Sequence, residues 1–280
     1  MAQITASDVN KLRSMTGVSM MECKKALVET NGDIEAAVKI LREHGVAVAA
    51  KRADKEANQG IIAAKIAEDG SKIAMVEVNC ETDFVARNTD FVAFVDTVAV
   101  NVLKNEADVA EVMKDELASK ISAIGENLKI RRSEKFALQG TGRLASYIHM
   151  GGKVGVIIEV GCEKAETVNK EAFVDMVRDI TLQIAASSPR WLDRTQVPAD
   201  VIASEREIYA KQMEDQKKPA NILEKILDGK VHKFFSEVCL VDQVFVKDSA
   251  LSITQLVDQT GKTVGDKLTI RRYVRYQLGA

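Results

Sequence analysis

Apolar and polar residues alternate in two short runs, Gly60–Ala67 and Lys72–Val78, on either side of Glu68-Asp-Gly70. That pattern predicts a β-hairpin. Beyond it the period changes. Phe91, Phe94, Val95, Val98 and Val102 fall on one helical face, which predicts a helix from about 89 to 104 capped by Thr89 or Asn88. A second helical stretch runs from about 106 to 123, and 124–132 leads into a third strand. Thr82-Asp-Phe-Val85 lies between strand and helix and reads as a short polar turn. Phe84 stands outside the helical stripe. A large aromatic there is either a local core residue or an anchor for a partner.

The chain carries its own control. Residues 60–95 recur at 142–177 with a constant offset of 82 and 11 identities in 36 positions, where average usage gives roughly two or three. Gly60, Glu77, Cys80, Glu81 and Phe91 match Gly142, Glu159, Cys162, Glu163 and Phe173. The turn is not repeated: Lys164-Ala-Glu-Thr167 faces Thr82-Asp-Phe-Val85, and Glu166 stands in the place of Phe84. The repeated framework therefore needs no apolar group there, which favours the anchor.

The third strand recurs as well, 264–272 matching 124–132 with an offset of 140. The larger offset requires an insertion of 58 residues in the second copy. Pro198-Ala-Asp200 opens a stripe of Val201, Ile202, Ile208, Tyr209 and Met213. Lys217-Lys-Pro219 interrupts it, and Ile222, Leu223, Ile226 and Leu227 return. Two stripes around a polar turn predict an antiparallel helical hairpin, which can serve a second copy of the chain, a partner, or both. The segment 237–246 reads as strand-like, and the last strand is predicted at 269–278.

Before the repeats, residues 1–45 read as three short helices. Thr5 with Asp8 starts the first and Gly17 ends it. Ser19 with Glu22 forms a capping box for the second. Asp33 caps the third, and Gly45 closes it. Met20 and Met21 open the second helix, either as a hydrophobic staple or as polarizable partner contacts. Residues 46–58 read as a solvated helical linker. The predicted class is α+β. A three-helix module of ubiquitin-associated type (1–52) precedes a duplicated three-stranded antiparallel core (53–140 and 141–280), with the hairpin inserted at about 198–236.

Composition removes several functions. Charged residues are 29% of the chain and the net charge is −2, so bulk nucleic-acid binding is not indicated. No apolar run reaches the roughly 18 residues of a membrane span, and Met-Ala-Gln-Ile-Thr is unlike a secretory leader. Cys23, Cys80, Cys162 and Cys239 lack metal-ligand spacing. The repeat equivalence of Cys80 and Cys162 favours buried thiols in a reducing, cytoplasmic setting. His44, His149 and His232 have no company that suggests a triad or a metal site. Gly261-Lys262-Thr263 lacks the earlier glycine of a phosphate loop, since Leu256 stands in its place. These readings predict no catalytic residue, metal, cofactor or direct nucleotide binding, and no enzyme with bond chemistry of its own.

Two stretches carry a family resemblance. Asn79-Cys-Glu-Thr-Asp-Phe-Val85 resembles the central motif of elongation factor Ts. Leu12-Arg-Ser-Met-Thr-Gly-Val-Ser-Met-Met-Glu-Cys-Lys-Lys-Ala-Leu27 resembles its N-terminal motif. The likeness covers essentially the whole chain, although some members continue into a further helix where this chain stops at Ala280. It implies a partner, elongation factor Tu in its GDP-bound and nucleotide-free forms, and acceleration of GDP release. It also implies that Thr82, Asp83, Phe84 and Val85 disturb the partner's Mg²⁺ site. Arg13, Met20, Met21, Ile124, Gly125, His149 and Val246 are implied as further partner contacts. The alternative class is an RNA- or ribosome-binding protein using Arg131-Arg132 and Arg271-Arg272-Tyr273, against the plain reading of a half-solvated strand. A third is a scaffold built on the first 45 residues.

Overall fold

The computed structural model describes residues 4–105, 107–213 and 219–280. Three helices open the chain, α1 (Ala6–Thr16), α2 (Met20–Glu29) and α3 (Ile34–Arg52). Thr5 and Asp8 form a complete capping box, and Gly17 ends α1 with a left-handed φ of 69°. Ser19 accepts from the Glu22 N–H, but Glu22 does not reach back. Its carboxylate takes Lys25 at 2.8 Å instead, so the second expected box is only half formed. Val9, Leu12, Cys23, Leu27, Ala37 and Leu41 close the core of the module.

Gly45 does not end the third helix. α3 runs through it to Arg52, and Gly45 is buried. A Cβ at that position would sit 3.4 Å from the Ala118 carbonyl oxygen, so the glycine admits close approach of a later helix. The continuation is not a solvated linker up to Arg52: Val48 and Ala49 are half-buried against the next core.

That core is the first repeat. Strands β1 (Gln59–Ile66) and β2 (Lys72–Cys80) pair antiparallel, with Gly60 opposite Asn79 and Ile66 opposite Ile73. A one-turn helix α4 (Asp83–Ala86) follows, then α5 (Thr89–Lys104), α6 (Val109–Val112), α7 (Lys114–Ile124) and β3 (Lys129–Ala137). The sheet order is β1-β2-β3. Phe91, Phe94, Val95 and Val98 on α5 are buried against Ala74, Val76 and Val78 of β2. Full burial of each Phe on this face is worth about 1.5–3 kcal/mol.

The second repeat places β4 (Gly142–His149), β5 (Val154–Cys162), α8 (Glu171–Ser187) and, after the insertion, α9 (Ala199–Lys211) and α10 (Ala220–Val238). A two-residue strand β6 (Val244–Phe245) pairs with β7 (Asp248–Ser252), and α11 (Ile253–Val264) and β8 (Leu268–Gln277) follow. The second large sheet has the order β4-β5-β8. Phe173, Val177, Ile180 and Ile184 of α8 fill its core. The repeated glycines have one cause. A side chain at Gly60 would run into the Val78 carbonyl oxygen, and one at Gly142 into that of Val160.

One expectation for the second repeat needs correction. Residues 237–246 are mostly not strand, because α10 continues to Val238 and a 3₁₀ turn occupies Leu240–Asp242. Gly261-Lys262-Thr263 lies inside the last turn of α11, the helical setting that the sequence already favoured over a phosphate loop. The hairpin forms as expected, with Arg206 paired to Asp228 at 3.0 Å. Val197, Phe234 and Cys239 form its buried base with Trp191. The predicted turn residues Lys217 and Lys218 lie outside the described residues.

Contacts divide the chain into two compact units. One comprises Met1–Phe136, Ile148–Gly155 and Tyr276–Ala280, and the other Ala137–Tyr147 and Val156–Arg275. All four cysteines are free and buried, as the repeat positions implied for Cys80 and Cys162. Burial pushes the Cys80 thiol up to about 12 and that of Cys239 to about 11, so neither is a reactive thiolate.

Candidate functional site

The chain leaves β2 at Cys80 and makes one helical turn before α5. Thr82 caps that turn, its hydroxyl accepting from the Val85 N–H at 3.3 Å. Arg87 N–H bonds the Phe84 carbonyl and Asn88 N–H that of Val85, which takes up two of the carbonyls that so short a helix leaves open. The predicted polar turn is thus a capped helix. Its geometry turns Ala86 into the core and Phe84 outward: Ala86 is 6% exposed and Phe84 82%. Of the two sequence readings of Phe84, the core residue is excluded.

Charge surrounds the ring. Gln59, Glu81, Thr82, Asp83, Arg87 and Lys153 line a shallow depression with Phe84, and Asp83 pairs with Arg87 at 3.2 Å. Lys153 comes from the turn after β4, where Met150, Gly151 and Gly152 all have positive φ. That turn is fixed by Ile62 N–H donating to the Gly152 carbonyl and by Lys153 donating to Gln59 at 3.2 Å. His149 is exposed at the start of the same turn, its carbonyl accepting from the Gly152 and Lys153 N–H groups.

Other predicted residues fall into two further places. Val85 and Ile124 line one cleft of about 560 Å³ with Met15, Thr16, Gly17 and Val18. Ile124 is half-buried, and Gly125 ends α7 with a φ of 82°. Arg13 is exposed on α1. Met20 and Met21 are 48% and 65% exposed, so neither acts as a buried staple. Met15, 60% exposed, is an apolar surface residue that the sequence reading passed over. Val246 belongs to the second unit and is 55% exposed.

The second repeat confirms that the exposed aromatic is an addition to the framework. Its turn is a 3₁₀ helix over Ala165–Asn169, with Glu166 exposed where Phe84 stands and Thr167 fully buried where Val85 stands.

The sequence reading also missed a carboxylate. Glu126, on the connection from α7 to β3, accepts from the N–H groups of Glu81 and Thr82 and from the Thr82 hydroxyl. In return Glu81 accepts from the Asn127 N–H at 2.6 Å and from Arg52 at 2.9 Å. The Asn127 N–H, with Arg52 beside it, holds the Glu81 carboxyl below its usual range. The signal was present in the repeat. Asp266 lies 140 residues after Glu126 and accepts from the N–H groups of Glu163 and Lys164.

The basic pairs behind the RNA alternative are engaged inside the protein. Arg131 and Arg132 reach the fully buried Glu77 at 3.4 and 2.7 Å. Arg271 and Arg272 reach the fully buried Glu159 at 3.1 and 2.7 Å. Among the described residues no cluster of His, Cys, Asp or Glu is placed to hold a metal ion. Nor is any helix there long and apolar enough to cross a membrane.

Fold and site together define a class: an α+β protein of two related halves behind a three-helix module, with an exposed aromatic on a capped turn of the first half only. Comparison with known proteins narrows it. The family model for elongation factor Ts matches residues 81–280. An elongation factor Ts from Trichlorobacter lovleyi is 43% identical over 289 aligned residues, covering 99% of this chain and 93% of its own. Those of Nitratiruptor sp. and Clostridium botulinum are each 42% identical with the same coverage. The chain belongs to the elongation factor Ts family, a family of translation elongation factors.

Proposed function

We propose that this protein binds elongation factor Tu and accelerates release of its GDP, and that Phe84 is the wedge. The observation that carries the reading is the 82% exposure of Phe84 on a turn capped by Thr82. A rigidly presented aromatic inside a ring of charge has the anatomy of an interface hot spot.

No bond chemistry is required. The protein has to bind nucleotide-free partner better than GDP-bound partner, and by linkage GDP then weakens its binding by the same factor. The partner holds its nucleotide partly through Mg²⁺, whose octahedral shell tolerates little distortion. Phe84 inserted beside that shell, oriented by Asp83 and flanked by Thr82 and Val85, moves ligands out of line.

One residue is not enough. Burying a Phe yields about 1.5–3 kcal/mol, while a ten-thousandfold weakening of nucleotide needs about 5.5 kcal/mol of differential binding. The remainder falls to Arg13, Met20, Met21, Ile124, Gly125, His149 and Val246. The exposed methionines and Val246 supply apolar area, and His149 sits on the turn that also brings Lys153 to Phe84.

The test is a chase of fluorescent GDP from elongation factor Tu by excess unlabelled GDP. Substoichiometric amounts of this protein are expected to speed release at least a hundredfold, the order that about 2.7 kcal/mol of differential binding provides. An unchanged rate with folded protein and active partner rules the function out.

The hairpin is the proposed self-association surface. Ile208 and Ile222 on its two helices are 45% and 43% exposed. Sedimentation at micromolar concentration is expected to give a dimer that Ile222→Glu dissociates, and a monomer at all concentrations would refute it.

A further inference from the structure

We propose that Glu126 is a positioning residue for exchange: it holds Thr82 in its capping geometry, so that α4 is formed and Phe84 points outward before the partner arrives. The inference rests on the function proposed above and names a group in the same site that neither the sequence motifs nor the family likeness had singled out.

A single helical turn has no stability of its own, because nucleation fixes several dihedrals for one hydrogen bond. Backbone bonds from the N–H groups of Ala86, Arg87 and Asn88 close its C-terminal side; its first turn depends on the cap, and the cap is only as good as the placement of the Thr82 side chain. Glu126 provides that placement from a distant part of the chain. Its Oε2 accepts from Glu81 N–H at 3.1 Å and Thr82 N–H at 3.0 Å, and its Oε1 accepts the Thr82 hydroxyl proton at 2.6 Å. With its proton given to Glu126, the hydroxyl oxygen has its lone pairs directed to the Val85 N–H. The order of bonds runs from Glu126 through Thr82 to the backbone of α4. The reciprocal bond from Asn127 N–H to Glu81, and the ion pair from Glu81 to Arg52 at the end of α3, keep the two strands of the strap in register.

The second repeat separates what this arrangement does for the fold from what it does for Phe84. Asp266 stands in the place of Glu126 and takes the two backbone N–H groups, at 3.3 and 3.0 Å. Residue 164 is a lysine, however, and has no hydroxyl to relay the bond. The turn there is 3₁₀, and it carries Glu166 rather than an aromatic. The backbone bonds to the carboxylate are therefore common framework. The Thr167 hydroxyl stands by Asp266 in the second repeat, but no side chain caps that turn, so a hydroxyl that joins the carboxylate to a cap N–H occurs only in the repeat that presents Phe84. Preorganising a contact residue in its bound conformation removes an ordering cost from the binding step, and here that step is the one that expels nucleotide.

The experiment is steady-state exchange on elongation factor Tu with Glu126→Ala, Glu126→Gln, Thr82→Val, Phe84→Ala and Glu126→Ala/Phe84→Ala. Glu126→Ala and Thr82→Val are each expected to lower kcat about tenfold, the scale of a lost cap, with KM within about twofold. Glu126→Gln restores most of the rate, since its amide oxygen accepts the two N–H groups and its NH₂ donates to the Thr82 hydroxyl. Thr82→Val keeps both backbone bonds, so it tests the relay even where Glu126→Ala folds poorly. The double variant is expected to be no slower than Phe84→Ala alone, because both changes act through one side chain. Full multiplication of the two effects would make Glu126 merely structural and overturn the proposal. A wild-type rate for Glu126→Ala and Thr82→Val with a slow Phe84→Ala would overturn it while leaving the exchange reading intact. Wild-type rates for all the variants would overturn both.

Discussion

Phe84→Ala is expected to slow GDP release from elongation factor Tu by about 10- to 100-fold while leaving the protein as stable as before. The rate estimate follows from the burial of one Phe side chain, about 1.5–3 kcal/mol, if that burial occurs only in the complex that has lost nucleotide. The stability estimate follows from position. A side chain 82% exposed leaves no cavity when truncated, and such surface changes usually stay within about 0.5 kcal/mol. Stopped-flow fluorescence of labelled GDP measures the first quantity, and thermal unfolding followed by circular dichroism measures the second. The second repeat supplies the control. Glu166 is exposed on the equivalent turn, and Glu166→Ala is expected to change neither quantity. A folded Phe84→Ala protein that exchanges at the wild-type rate under saturation would remove the wedge from the mechanism. A protein that loses its fold would show that Phe84 serves the core after all, against its exposure.

What the sequence made legible is what periodicity and repetition encode. The α5 stripe of Phe91, Phe94, Val95 and Val98 is buried as expected, and the hairpin and both large sheets follow from alternation and from the offsets of 82 and 140. The misses share a cause. Gly45 resembles a helix stop because most helix-ending glycines do, yet here it serves close packing on Ala118, a contact far away in sequence. Residues 46–52 look solvated because their apolar stripe is weak, but the surface that half-buries Val48 and Ala49 is supplied by the first repeat. At the candidate site, Phe84 could be weighed from sequence only because the second copy lacks it. The strap that holds it left only the acidic match of Glu126 and Asp266 at the offset of 140. Glu126 meets Thr82 across 44 residues, and one acidic residue in a loop carries no local signature. Arg131 and Arg271 left two readings open, a half-solvated strand and a basic surface. The plain reading holds, with their side chains partly exposed, and only the fold shows that Glu77 and Glu159 are their partners.

Those two carboxylates give the largest expected effect on stability. Glu159→Ala is expected to destabilise the second unit by about 3 kcal/mol. The Glu159 side chain is fully buried, accepting from the Gln139 N–H at 2.7 Å and from Arg271 and Arg272. Its removal takes the carboxylate from two guanidinium groups, which keep the carbonyls of Gln139, Thr141 and Ala137, and leaves the Gln139 N–H without its acceptor; loss of one partner of a buried pair costs about 3–5 kcal/mol. The low end applies here because the arginines keep those carbonyl acceptors and their side chains, 25% and 35% exposed, can be rehydrated. With a urea dependence of about 1–3 kcal/mol per molar, the unfolding midpoint falls by about 1–3 M. Glu159→Gln keeps one acceptor oxygen and loses less. The first unit offers the same test with different closing groups. Glu77 accepts from Arg131, Arg132 and the Gly279 N–H, and the two arginines also bind the carbonyls of Ala280 and Gln277. Glu77→Ala is therefore expected to free 277–280 first, seen as lost amide protection at Gly279 below the main transition. A shift under about 0.5 kcal/mol for Glu159→Ala would mean that the arginines find water at no cost. The buried carboxylates would then be repeated by descent alone, not because each unit needs one to hold its paired arginines and the tail that follows a strand.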